Sequence, residues 1–172
     1  HTIPTILARG GVRHYYACRC GSAQTEPVFW WQGPDGSRIL VNHESTWYND
    51  HIDTHNAPAM VAFSEKTGLK DWMLVYGVGD HGGGPTRKDI RAILDMNTWP
   101  IYPAFQMGTS RRYYEILEAA GDNWPTVDGE LNFIFTGCFT SQSLIKKLNR
   151  LGENACLEAE TAAALAMRSV GR

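Results

Sequence analysis

Strand-like and helix-like hydrophobic patterns alternate along most of the chain. Short apolar runs rich in β-branched and aromatic residues predict strands, at residues 12–20, 28–31, 38–42, 72–76, 102–105 and 130–136. Apolar residues spaced three and four apart predict helices, at residues 3–7, 57–67, 86–97, 109–120 and from 141 to the end. This alternation favours an α/β fold with parallel strands and right-handed crossovers.

Turn residues indicate where several of these elements end. The sequence Gly33-Pro-Asp-Gly36 separates two strand-like runs and predicts a β-hairpin. Gly68 follows the helix predicted at 57–67 and is typical of a helix C-terminus. Residues 43–56 are polar and aromatic with no period, so we expect an exposed loop there.

The stretch from residue 74 to residue 90 has the most distinctive pattern. The apolar run at 72–76 predicts a buried strand, and five glycines then surround one acid and one histidine, Asp80 and His81. Pro85 suits the first turn of the helix that follows. Because α/β sheets hold their ligands beyond the carboxyl ends of their strands, Asp80 and His81 are the first candidates for chemistry.

Three interpretations of this glycine-rich loop are open. A phosphate-binding loop also places glycines before a helix, but the Gly-Lys-Ser/Thr ending of a P-loop is not present. A purely structural turn explains the glycines but not the acid and the histidine among them. A substrate loop with a catalytic carboxylate explains all of these residues, and we favour it.

Composition narrows the function classes without choosing one. A net charge of −2, with both signs interspersed, indicates neither nucleic acid nor an anionic membrane as a partner. The chain contains no apolar run of 18 residues and no secretory pattern at its start. Its four cysteines form no zinc-binding pattern and favour free thiols in a reducing cytosol, which predicts a cytoplasmic protein.

Both ends of the sequence suggest a piece of a longer protein. The chain starts at His1 without a methionine and ends at Arg172 directly after an alanine-rich helix. We therefore expect an α/β catalytic region at 1–140 and, at 141–172, the first helix of a helical bundle.

Three segments of the sequence resemble glycoside hydrolase family 38, the zinc-dependent α-mannosidases. They lie in the family's order along nearly the whole chain: residues 31–40 (WQGPDGSRIL), 77–86 (GVGDHGGGPT) and 129–143 (GELNFIFTGCFTSQS). The resemblance implies the later part of a distorted parallel β/α barrel, followed by a helical bundle. It also implies a mannose-containing oligosaccharide as substrate and the rest of the parent catalytic domain as partner.

The resemblance implies a role for several residues of this chain. Family 38 enzymes retain configuration by using two carboxylates, and Asp80 resembles the general acid/base. His1 resembles the last residue of the family's Asp-x-x-Gly-His motif, so the nucleophile and the zinc ligands of the parent would lie outside this chain. His51-x-Asp53 matches the His-x-Asp pattern of the family's zinc ligands, but it does not lie where the family's order places that motif. We therefore interpret it as a solvated pair.

The resemblance also implies substrate contacts. Arg19 would stand near the nucleophile and the sugar, and the remaining candidates are His81, Trp47, Tyr48, Phe139 and Thr140. Ser141 can alternatively be the N-cap of the last helix. By itself the chain should be inactive, because it lacks the nucleophile. The alternative function is a non-catalytic α/β carbohydrate-binding or scaffold module that uses the same aromatic residues.

Overall fold

The computed structural model describes residues 2–20, 26–80, 82–132 and 142–171. The chain divides into two compact units, His1–Ile134 and Phe135–Arg172. The first unit contains a β-sheet with helices, and the second consists largely of one long helix. The boundary predicted at residue 140 stays a prediction.

The described residues form five helices and four strands. The helices are α1 Ile3–Arg9, α2 Asn56–Thr67, α3 Arg87–Met96, α4 Ser110–Ala119 and α5 Ser143–Ser169. The strands are β1 His14–Ala17, β2 Val28–Gln32, β3 Arg38–His43 and β4 Thr126–Asp128. The α/β class predicted from the sequence is thereby confirmed.

The strands form one mixed sheet in the order β1-β3-β2-β4. β2 and β3 are the predicted hairpin and pair antiparallel, whereas β1 pairs with β3 and β4 pairs with β2 in parallel. The expected parallel pairing is thus found at these two pairs, whereas the hairpin is antiparallel because the five residues between β2 and β3 leave no room for a crossover. Within the described residues the sheet is open, with β1 and β4 at its edges.

Side chains that alternate along β2 and β3 cover both faces of the sheet. Phe29 and Val41 belong to a cluster on one face, which Cys20 and Leu131 complete. Val28 and Leu40 belong to a second cluster, which is covered by these aromatic and apolar side chains of α2 and α4: Phe63, Tyr113, Tyr114 and Leu117. Burial on both faces explains why β2 and β3 read as nearly continuous apolar runs.

The predicted strand at 72–76 is not formed. Tyr76 alone makes an isolated parallel bridge, to Asp50, and the run is half-buried. Its apolar side chains pack against the two clusters that α2, α3 and α4 help to form, with Trp72 and Met73 in one and Leu74 in the other. Burial against helices gives the same apolar run as a central strand, which is why the pattern was misread.

Two further strand predictions were wrong. Residues 102–105 are not a strand, because the Asn97 side chain bonds the backbone N–H and C=O of Phe105, at 2.7 and 2.9 Å. Residues 126–128, expected to be loop, form β4 beside β2, and Trp30 N–H donates to Pro125 C=O at 2.8 Å. Of the strand predicted at 130–136, residues 130–132 are not a strand and the rest lie outside the described residues.

Helix α5, Ser143–Ser169, makes up most of the second unit. None of its residues is buried, and Leu144, Leu148 and Leu151 are each more than half exposed. Its N-cap is Gln142, and the predicted cap Ser141 lies outside the described residues. No helix within the described residues combines the length and the apolar character needed to cross a bilayer.

Candidate active site

The glycine-rich loop folds into a small hairpin of residues 78–84, which we call the Asp80 hairpin. Val78 N–H donates to Gly84 C=O and Gly79 N–H to Gly83 C=O, each at 3.1 Å. Gly82 N–H closes the tip by donating to Gly79 C=O at 3.2 Å. Asp80 follows Gly79 in this tip turn and is exposed. A carboxyl at the tip of such a hairpin can contact a ligand while the hairpin backbone keeps its own hydrogen bonds.

Glycines are required directly before this hairpin and within it. A Cβ on Gly77 would lie 2.7 Å from the carbonyl carbon and oxygen of Gly84, so the two backbone segments approach too closely for a side chain. Gly79 has a φ of +70°, a left-handed backbone that favours glycine. The glycines therefore shape the loop, and a phosphate ligand is not needed to explain them.

Helix α3 begins after this hairpin with an acidic cap. Thr86 is the N-cap, so Pro85 precedes the helix and does not lie in its first turn as predicted. Asp89 is buried and accepts hydrogen bonds from the Thr86 N–H and hydroxyl, at 3.0 and 2.6 Å. A carboxylate already occupies the positive end of this helix, which argues against phosphate binding there.

Three of the predicted substrate-binding residues form a cluster, which we call the Arg19 cluster: Arg19, Trp47 and Tyr48. The Arg19 guanidinium donates to the Tyr48 hydroxyl at 3.1 Å and lies 5.1 Å from the centroid of the Trp47 ring. The Trp47 and Tyr48 rings are 5.5 Å apart at 36°. Trp47 is 42% exposed, so its face can still stack on a sugar ring.

The Asp80 hairpin packs directly on the Arg19 cluster. A Cβ on Gly79 would lie 2.5 Å from the Asn49 Cβ and 3.1 Å from the Tyr48 Cε2. The residue before Asp80 is thus in contact with the ring whose hydroxyl binds Arg19. The fold therefore brings the backbone next to Asp80 against the Arg19 cluster, although Asp80 and Arg19 lie 61 positions apart in the sequence.

Parallel pairing of β1 with β3 explains how Arg19 reaches Tyr48. Ala17 at the end of β1 pairs with His43 at the end of β3, so both chains leave the sheet at the same edge. Glu44 N–H then donates to Ala17 C=O at 2.8 Å and extends the pairing by one residue. Arg19 and Tyr48 therefore both follow the carboxyl ends of two neighbouring parallel strands.

Glu44 is an acid that sequence reasoning missed. It is 5% exposed and accepts a hydrogen bond from the Tyr16 hydroxyl at 2.8 Å. Burial raises the pKa of the Glu44 carboxyl, although hydrogen bonds from Tyr16 and from the Thr46 and Ser45 backbone oppose that shift. The only signal in the sequence was an acid that directly follows a strand.

A second missed group surrounds Asp50. Its carboxylate lies 2.9 Å from His55 Nε2 and accepts the His51 N–H at 2.8 Å. The Asp53 carboxylate hydrogen-bonds the N–H and the Nδ1 of His55, so its partner is His55 rather than His51. The hydrogen bond to Asp53 is the main cause that raises the pKa of His55. These contacts arise in a loop whose sequence has no period.

The His and Asp side chains of this loop are of the types that bind metal ions. Among the described residues, no three His, Cys, Asp or Glu side chains come together in a group that could hold a metal ion. His51 is exposed, and its Nδ1 is 4.0 Å from Asp89 Oδ1. The described part of the chain therefore does not supply a zinc site, and no step of the chemistry is assigned to zinc.

An apolar cavity of about 700 Å³ lies in the first unit, beside residues 70–76 and helices α2 and α4. Met60, Trp72 and Tyr113 are among its lining residues, whereas Asp80, Arg19 and Trp47 are not. The predicted site residues lie at the Arg19 cluster and the Asp80 hairpin and do not line this cavity, so we take that surface as the candidate carbohydrate site.

Comparison with known proteins decides the family. The model of the glycosyl hydrolases family 38 N-terminal domain matches residues 1–133. The chain belongs to glycosyl hydrolase family 38. The resemblance inferred from the three sequence segments is thereby confirmed.

Relatives of this family 38 chain are α-mannosidases. It is 36% identical over 139 residues to an alpha-mannosidase of Saccharomyces cerevisiae, which covers 73% of this chain and 13% of that protein. It is 26% identical over 172 residues to alpha-mannosidase 2C1 of Homo sapiens, covering 96% of this chain and 16% of that protein. Among solved structures, an alpha-mannosidase from Enterococcus faecalis V583 aligns at 24% identity and a TM-score of 0.45, over 72% of this chain and 14% of that one. The chain thus spans a small part of the curated relatives it matches.

The predicted site residues of this family 38 chain fall into two groups. Arg19, Trp47 and Tyr48 come together, and Gly79, the residue before Asp80, packs on Tyr48. The roles of Asp80, Arg19, Trp47 and Tyr48 stay predictions. His81, Phe139 and Thr140 lie outside the described residues.

Proposed function

We propose that this chain is part of a retaining α-mannosidase in which Asp80 is the general acid/base. The observation that carries the proposal is the contact between the Asp80 hairpin and the Arg19 cluster, which joins an exposed carboxyl to an aromatic and cationic surface. Family membership supplies the reaction class.

Asp80 acts twice in the proposed mechanism. In the first step its protonated carboxyl gives a proton to the glycosidic oxygen while the bond from that oxygen to the anomeric carbon breaks. A second carboxylate, outside this chain, attacks the same carbon and forms the glycosyl-enzyme. In the second step the Asp80 carboxylate takes a proton from water, which attacks the anomeric carbon and releases the sugar. General acid help of this kind is worth roughly 10²–10⁴ in rate.

The Arg19 cluster binds and orients the sugar. The Trp47 ring offers an apolar face for stacking, and the Arg19 guanidinium holds the Tyr48 ring beside the Asp80 hairpin. Arginine donors in addition suit the hydroxyls of a mannoside and an attacking carboxylate. The proposed substrate is a mannose-containing oligosaccharide.

The parent protein completes the site. The rest of its catalytic domain supplies the nucleophile and the remaining strands of a barrel, for which the open edges at β1 and β4 leave space. Zinc belongs to the family's chemistry, and we propose that its ligands lie outside the described residues. We also propose a cytoplasmic location, supported by the free thiols of Cys18, Cys20 and Cys156.

Leaving-group kinetics test the proposal. In the full-length protein, Asp80→Asn should lower kcat/KM for a mannose disaccharide by about 10²–10⁴. The loss of kcat/KM on an aryl mannoside should be much smaller, because its acidic phenol needs no protonation and kcat/KM reports only the steps up to the glycosyl-enzyme. Asp95→Asn, which removes an exposed carboxylate from α3, is the matched control and should change neither rate. Equal losses on both substrates in Asp80→Asn would refute the acid role. No mannoside hydrolysis by the wild type, with mannoside binding retained, would favour a carbohydrate-binding module.

A further inference from the structure

We propose that Asp50 and His55 position the Asp80 hairpin against the Arg19 cluster. Both are positioning residues that act through other groups. The inference rests on the proposed function, because it assigns to this pair the control of the angle at which Asp80 meets the glycosidic oxygen.

The backbone of Asp50 joins the two halves of the candidate site. Its N–H donates to the Trp47 C=O at 3.0 Å, and its C=O accepts the Gly77 N–H at 3.1 Å. Gly77 is the residue directly before the Asp80 hairpin, and Tyr76 forms a parallel bridge with Asp50. A displacement of Asp50 therefore moves the aromatic surface relative to the base of the hairpin.

The side chain of Asp50 is fixed at the start of α2. His55 Nε2 lies 2.9 Å from Asp50 Oδ1, and Asn56 Nδ2 lies 3.5 Å from Asp50 Oδ2. The Asp50 side chain is 12% exposed and Asn56 is buried. Helix α2 is in turn anchored in the core by Phe63. The contact between Asp50 and His55 thus fixes the loop of the candidate site to the packed helix α2.

His55 has a partner at each ring nitrogen. Nε2 faces Asp50 and Nδ1 faces the Asp53 carboxylate, and both partners are acceptors when ionised. Only the imidazolium donates from both nitrogens, so the contacts select the charged form. Charge-assisted hydrogen bonds of this kind are roughly twice as strong as neutral ones, which suits a positioning role.

Two variants and a matched control test the inference in the full-length protein. His55→Gln removes the imidazolium, and Asp50→Asn keeps the backbone contacts but removes the ionised acceptor. His51→Gln is the control, because it removes an exposed imidazole from the same loop while the His51 N–H still donates to Asp50. We expect both test variants to lose about tenfold in kcat on the mannose disaccharide, the equivalent of one charge-assisted hydrogen bond.

A readout beyond stability separates positioning from folding. In His55→Gln and Asp50→Asn the loss on the disaccharide should exceed the loss on the activated aryl mannoside, whereas His51→Gln should leave that ratio unchanged. Hydrogen exchange of the peptide covering residues 72–84 should also be faster in both variants than in the control. A lower melting temperature with an unchanged substrate ratio and unchanged exchange would overturn the inference, and so would wild-type behaviour in all three measurements.

The inference and the proposed function fail in different ways. If Asp80→Asn loses equally on both substrates, the proposed function fails, and the inference fails with it. If Asp80→Asn behaves as expected but the substrate ratio of His55→Gln equals that of His51→Gln, only the positioning role is wrong.

Discussion

Replacing Gly79 by alanine tests whether the Asp80 hairpin rests on the Arg19 cluster as the structure shows. The new Cβ would lie 2.5 Å from the Asn49 Cβ, closer than real contacts allow, and 3.1 Å from the Tyr48 Cε2, tighter than most of them. Gly79 also has a φ of +70°, which disfavours any side chain. The substitution therefore combines a backbone cost with a steric one.

Gly82→Ala separates these two costs. Gly82 has a φ of +80°, but a Cβ there would meet nothing within 4 Å. A left-handed alanine costs about 1–2 kcal/mol, and forcing atoms into a packed contact costs about 1–3 kcal/mol more. We therefore expect the local free energy of opening to fall by about 2–5 kcal/mol in Gly79→Ala and by about 1–2 kcal/mol in Gly82→Ala.

Hydrogen exchange of the peptide covering residues 72–84, in the full-length protein, measures this local free energy directly. Gly79→Ala should exchange faster than Gly82→Ala and should also lose more activity on the mannose disaccharide, since Tyr48 and Asn49 must move. Equal effects of the two substitutions would refute the packing of the hairpin on Tyr48.

Further predictions concern buried and charged groups elsewhere in the first unit. Because burial raises the pKa of Glu44, the folded state holds a proton that the unfolded state releases. Stability should therefore fall as pH rises from the ordinary pKa of a glutamate through the raised pKa of Glu44. Glu44→Gln, whose amide oxygen can still accept from the Tyr16 hydroxyl, should flatten that pH dependence in thermal melts. Although burial of Asp89 acts to raise its pKa, the hydrogen bonds from Thr86 leave that pKa lowered. Asp89→Asn should weaken the N-terminal cap of α3 and lower the free energy of unfolding by about 1 kcal/mol, which should appear as faster hydrogen exchange in residues 86–97. Hydrogen bonds to Asp53 and Asp50 raise the pKa of His55, so its stabilisation is complete below pH 6.5 and is lost as pH rises through the folded pKa. Exchange of residues 50–56 should follow this dependence in the wild type, where His51 also acts on Asp53, and should lose it in His55→Gln.

Local signals in the sequence were sufficient for the elements they define. The turn Gly33-Pro-Asp-Gly36 fixed the hairpin of β2 and β3, and Gly68, with a φ of +74°, ends α2 as expected. The glycine loop around Asp80 was also found where its composition predicted it. In each case a few neighbouring residues determine the backbone, so no distant partner had to be known.

Features that depend on distant partners were missed or misread. The apolar run at 72–76 is half-buried by helices rather than by strands, and apolar composition does not distinguish these two environments. The parallel addition of β4 to β2 joins residues nearly a hundred positions apart. The same limit applies to the site, where Arg19 meets Tyr48 only because β1 and β3 end side by side.

Rescue of Asp80→Asn by azide is the measurement that tests the central claim most directly. With an activated aryl mannoside, the variant should still form the glycosyl-enzyme but should hydrolyse it slowly, because no base activates water. Azide is already an anion and needs no base, so it should accelerate turnover and give mannosyl azide with the α configuration retained. Turnover that azide does not change, or a product of inverted configuration, would contradict the assignment of Asp80 as the acid/base of a retaining enzyme.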